Sequence, residues 1–99
     1  MGAPIYLGDE VSAAGFRLAG LQARVPARGE EAAALSGARA NAPLVLVSAT
    51  VAARIAEGEL RAALAALTPL VLIVPDIDGA TPVPDLALRL RRQLGLVEA

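Results

Sequence analysis

The stretch "PLVLVSA", residues 43–49, carries no charge and is bounded by Pro43 and Thr50. It is too short for a typical core helix. A continuous apolar run of this kind is how a strand buried on both faces reads, and such strands belong to parallel sheets covered by helices on each side. A second run, "LVLIV" at 70–74, reads the same way, as a doubly buried strand. Between them lies "TVAARIAEGELRAALAAL", 50–67. As one helix its apolar residues conflict: Val51 and Ile55 point one way, Leu60, Leu64 and Leu67 nearly the other. A split at Glu57-Gly58 removes the conflict. One short turn then precedes the glycine, and a helix over 59–67 follows until Thr68-Pro69 stops it.

Working outward, "PIYL" (4–7) is a first strand. Asp9 is placed to cap a helix over 10–19, and Gly20 is suited to a left-handed stop. "LQARV" (21–25) is a short strand ended by Pro26, and 29–40 is an Ala-rich helix whose one large apolar residue is Leu35. "PDIDGATPVP" (75–84) is a loop by its Pro, Gly and Asp content. A last helix runs from about 83 to 94, with Gly95 as its stop. Strands alternating with helices imply βαβ units and a four-stranded parallel sheet. The expected organisation is one domain over 1–99, with a sheet core over 1–75, a loop over 76–84 and a C-terminal helical segment over 83–99.

The residue types present restrict the chemistry. The chain of 99 residues is 56% hydrophobic and has a formal net charge of −1. That charge supplies no attraction to nucleic acid or to an anionic membrane. His, Cys and Lys are absent, so all nine basic residues are Arg. This excludes, within the chain, a Ser-His-Asp or Cys-His site, Cys/His zinc ligation, a Schiff-base lysine and a Walker-A lysine. No charged n-region leads into an apolar h-region. The uncharged run 62–75, which no other exceeds in length, is broken by Thr68-Pro69 and is too short to span a bilayer. The expectation is a soluble, intracellular chain with no catalytic residue, no metal and no cofactor.

Each candidate site has a plain structural role beside the functional one. Gly8, Gly15 and Gly20 do not match G-x-G-x-x-G, and Asp9 and Glu10 would repel phosphate at the helix end. A receiver-type phosphoacceptor needs an Asp ending the third strand and a later Lys; here the strand ends "SAT" and no Lys exists. Asp76 and Asp78 read as solvated turn residues. On the first helix, Val11, Ala14, Gly15, Leu18 and Leu21 share what periodicity marks as the inward face. Phe16, the chain's one Phe, and Arg17 fall outside it. They are either ordinary surface residues or an aromatic–Arg interface anchor. On the last helix, Val83, Leu86, Ala87, Leu90 and Leu94 form the apolar stripe, while Leu88, Arg91 and Arg92 lie off it. Those three are either a solvated basic face or a docking face for an acidic or helical partner.

"GDEVSAAGFRLAGL" (8–21) resembles the N-terminal signature of the F subunit of A/V-type rotary ATPases, in which Gly-Asp and a short spacer lead to a G-F-R-L-x-G run. "LTPLVLIVP" (67–75) and the ending "RRQLGLVEA" (91–99) are similar to that family's last strand and final segment. The resemblance implies an α/β, Rossmann-like three-layer domain with a C-terminal helix. It also implies a noncatalytic central-stalk (rotor) protein that binds the coiled-coil D subunit, near the A/B catalytic head. Such a protein is cytoplasmic and peripheral to the membrane as part of the complex, where ATP turnover is coupled to ion transport. The segment 26–41 and the loop 76–84 depart from the family's pattern. The alternative is a small receiver-like or ligand-binding regulatory domain.

Overall fold

The computed structural model describes residues 3–75 together with Leu88, Arg89, Arg91 and Arg92. Four strands, β1 (Ile5–Leu7), β2 (Gln22–Arg24), β3 (Leu44–Ser48) and β4 (Leu70–Val74), form one sheet in the order β2-β1-β3-β4. Every pairing is parallel, with Ile5 opposite both Gln22 and Val45, and Val45 opposite Val71. The helices are α1 (Glu10–Leu18), α2 (Glu31–Asn41), α3 (Ala49–Ala53) and α4 (Glu57–Ala65). Leu88, Arg89, Arg91 and Arg92 are helical. The expected four-stranded, Rossmann-like α/β architecture is present. The loop over 76–84, Asp76 and Asp78, and the stripe Val83, Leu86, Ala87, Leu90 and Leu94 lie outside the described residues.

Strand alternation sends successive side chains to opposite faces, and each face has its own core. Ile5, Leu7, Val45, Val47 and Val71 pack beneath α2, α3 and α4, where Leu35, Ala38, Val51, Ala52, Ile55 and Ala63 meet them. Tyr6 and Leu46 face the other way, against Ala13, Phe16 and Ala19 of α1 and its C-terminal end, and Leu21 after it. β1 and β3 are the central strands and are covered on both sides, which is why "PLVLVSA" carries no polar alternation.

β4 corrects an expectation. It has the predicted span, but it is an edge strand, not a doubly buried one. Val71 is buried while Leu70, Leu72 and Ile73 are each more than 40% exposed. A five-residue apolar run shows the same pattern in either place, because strand order is not a local property.

The segment after β3 divides into two helices, but the break falls at 54–56, ahead of Glu57-Gly58 where it was expected, and the second helix covers 57–65 in place of 59–67. α3 ends at Ala53 and α4 begins at Glu57, so Gly58 lies inside α4. The Ser48 Oγ accepts from the Val51 N–H at 3.1 Å and starts α3. At the start of α2, the buried Glu31 carboxylate accepts from the Gly29 N–H at 2.9 Å and lies 3.6 Å from the Arg54 guanidinium at the end of α3. This ties the two helices together where α2 has little apolar surface to offer.

Gly37 has no such duty. It sits within α2, has no positive φ, and a Cβ there would meet nothing within 4 Å. Gly37→Ala should therefore stabilise the domain by about 0.5–1 kcal/mol, the usual helix-interior difference. Urea unfolding tests this; a destabilised variant would mean that α2 is packed more tightly there than the structure shows.

Candidate functional site

The turn after β1 begins as the sequence predicts. One Asp9 carboxylate oxygen accepts from the N–H groups of Val11 and Ser12, each at 3.2 Å. The orphan donors of the α1 N-terminus are thus engaged by the chain's own carboxylate. Partial burial raises the Asp9 pKa. The nearby Ser12 hydroxyl and the N–H groups of Ser12 and Val11 stabilise the anion more, and the net shift is downward. The Ser12 hydroxyl is fully buried and acts by proximity, without ordinary hydrogen-bond geometry.

A lowered folded-state pKa means that the cap contributes above the ordinary carboxylate range and is lost as pH falls through the folded pKa. Asp9→Ala should cost about 0.5–2 kcal/mol at neutral pH. The gap between variant and parent should close on acidification. A gap independent of pH in denaturant titrations would remove the carboxylate from this role.

Phe16 is where the structure departs most from the periodicity. It is 2% exposed and lies in the core, not on the surface. Its ring stacks on Tyr6 with centroids 4.0 Å apart and planes 19° from parallel. α1 is rolled so that Ser12, Ala13, Gly15 and Phe16 face the sheet, leaving Val11 and Leu18 outside. Three features decide that roll. Small residues at Ser12, Ala13 and Gly15 let the helix approach the strands, whereas Val11 and Leu18 would hold it off. Gly8 leaves room for the Tyr6 ring that receives Phe16. Finally, α1 ends in a Schellman motif: the Gly20 N–H bonds the Arg17 carbonyl at 3.1 Å and the Leu21 N–H bonds the Phe16 carbonyl at 2.9 Å. Gly20 has φ of 103°. That motif normally brings the residues now occupied by Phe16 and Leu21 into apolar contact, and both belong to the same core cluster. The spacing F-x-x-x-G-L was the signal available in the sequence, and it outranks the helical period here.

Arg17 is exposed, and its Nη2 donates to the Ala23 carbonyl at 2.9 Å, clipping α1 to β2. Leu88, Arg89, Arg91 and Arg92 are exposed as well. Arg91 Nη2 donates to the Leu18 carbonyl at 2.7 Å, across 73 positions of sequence. The Schellman bonds use the carbonyls of Phe16 and Arg17, so Leu18 offers an orphan acceptor at the negative end of α1, where a guanidinium is favoured. This bond brings the two stretches that the sequence singled out separately, around Arg17 and around Arg91, to one end of α1. Periodicity missed the exposure of Val11 and Leu18, because it placed both inward.

Other places offer less. β3 ends at Ser48, whose hydroxyl is engaged as the cap of α3, where a receiver would hold its phosphoacceptor. A groove of about 440 Å³ between α2 and α4 is lined by Ala32, Ala33, Ala62 and Leu35 with Ser36, Arg39 and Glu59. Among the described residues no helix is long and apolar enough to cross a membrane.

A family model described as the ATP synthase (F/14-kDa) subunit matches residues 5–89, from the first residue of β1 to Arg89. Comparison with curated proteins finds no match.

Proposed function

The chain belongs to the family of the ATP synthase (F/14-kDa) subunit, and on that premise we propose that it is a noncatalytic central-stalk component of a V/A-type ATPase or ATP synthase. In this reading it binds the coiled-coil D subunit of the stalk and turns with it, linking ATP turnover in the A/B head to ion movement through the membrane part. It is peripheral to the membrane and cytoplasmic. The family match over nearly the whole chain is the observation that carries the reading. The residue types are compatible with it, since a chain without Lys has no phosphate-binding lysine of the Walker-A or kinase kind, and one without His or Cys has no histidine or thiol nucleophile.

Coexpression with the coiled-coil stalk protein of the same complex tests the proposal. A stoichiometric complex that survives gel filtration is expected, with no steady ATP turnover by the isolated chain. Failure to copurify, or ATP turnover abolished by substituting one of this chain's own residues, would overturn it.

A further inference from the structure

β2 stands at an edge of the sheet, and an open edge is a template for another strand. The ladder to β1 fixes which backbone groups face outward. The Gln22 N–H donates to the Pro4 carbonyl at 3.2 Å, and the Arg24 carbonyl accepts from the Gly8 N–H at 3.1 Å. Backbone groups of successive residues point to opposite sides of a strand. The N–H and C=O of Ala23 therefore both point away from β1. Within Gln22–Arg24, Ala23 is the residue with which an incoming strand would pair. Val25 has the same phase but lies beyond the strand, next to Pro26.

The Ala23 carbonyl is already taken. Arg17 Nη2, from the last turn of α1, donates to it at 2.9 Å. We propose that Arg17 guards the β2 edge: its guanidinium occupies the outward acceptor of the strand and sets a positive charge where a fifth strand would lie. An incoming strand must displace this charge-assisted bond before it can pair. A second copy of the chain would bring its own Arg17 and Arg24, both exposed, to the same line, and like charges facing across a strand pair are unfavourable. Arg suits this duty better than Lys. Its planar fork holds the carbonyl with one nitrogen and leaves further donors and the delocalised charge at the edge. Arg17 thus acts within the chain, against strand addition, and not as an anchor for a partner. This role is independent of the central-stalk reading.

The test uses the full chain alone. Arg17→Met keeps a long unbranched side chain but removes the charge and the donor. In sedimentation equilibrium it should self-associate about tenfold more tightly than the parent, or more, the factor expected when a hydrogen bond to a charged group no longer opposes pairing. The Ala23 amide should then exchange more slowly as concentration rises, because its N–H is paired in the associated form. Arg17→Lys, which keeps the charge, should stay near the parent. Ala23→Pro removes an N–H that β1 does not use, so adding it to Arg17→Met should return the chain to the parent's state of association. An Arg17→Met chain no more associated than the parent overturns the guard role. So does association that leaves Ala23 exchange unchanged, since the contact then lies elsewhere. If circular dichroism shows Arg17→Met to be unfolded, Arg17 is a clip that the fold requires, and the guard role is overturned as well. Where the double variant does not fold, amide exchange in Arg17→Met decides.

Discussion

Phe16→Ala is expected to cost about 3–5 kcal/mol of folding stability, the range for removing a buried aromatic from a well-packed core. Phe16 is 2% exposed and stacked on Tyr6, and it forms the apolar contact that closes the Schellman motif of α1. Its loss leaves a cavity between α1 and the sheet, and the helix cannot slide inward without dragging the Asp9 cap and Gly20 with it. A small domain holds only about 5–15 kcal/mol in total. The variant should therefore be partly unfolded at moderate temperature, with a large fall in the urea midpoint. Phe16→Leu, which keeps most of the volume, should recover much of the loss. An alanine variant within about 0.5 kcal/mol of the parent, the ordinary range for surface changes, would show that Phe16 is a surface residue, as helical periodicity alone suggested.

The second large effect is expected at Gly8. A Cβ there would overlap the Tyr6 hydroxyl oxygen and its Cζ, and would lie 2.7 Å from its Cε2. The φ of Gly8 is not positive, so the glycine is required for close approach and not for the turn. Tyr6 is fully buried against Phe16 and has nowhere to swing. Gly8→Ala should cost about 1–3 kcal/mol or more by overpacking. Adding Tyr6→Phe removes the closest contact but not the clash with the ring carbons. The double variant should therefore recover part of the loss, and the two changes should be strongly non-additive. Additive effects in denaturant unfolding would mean that the ring and the turn do not touch.

These two residues explain why "YLGD" and "GFRLAGL" stand in one short segment. Gly8, Tyr6, Phe16 and Leu21 are parts of a single packing arrangement that sets the roll of α1. That roll in turn leaves Val11 and Leu18 outside and directs the Leu18 carbonyl to Arg91. The turn after β1, which does not fit a phosphate site, is therefore a device for seating a helix.

Much was legible from residues alone. Two charge-free runs placed β3 and β4, Asp9 and Gly20 marked the ends of α1, and the conflict of faces in 50–67 required the break between α3 and α4. These are local signals: period, cap chemistry and glycine act within one or two turns of chain, so a sequence states them directly. Three things were decided by tertiary structure. The roll of α1 depends on a ring partner from β1. The exposure of Leu70, Leu72 and Ile73 depends on β4 having, among the described residues, a neighbour on one side only, since β3 holds the central place. The meeting of Arg91 with Leu18 joins groups 73 positions apart. Each depends on which elements come together in space, and chain periodicity carries no information on that.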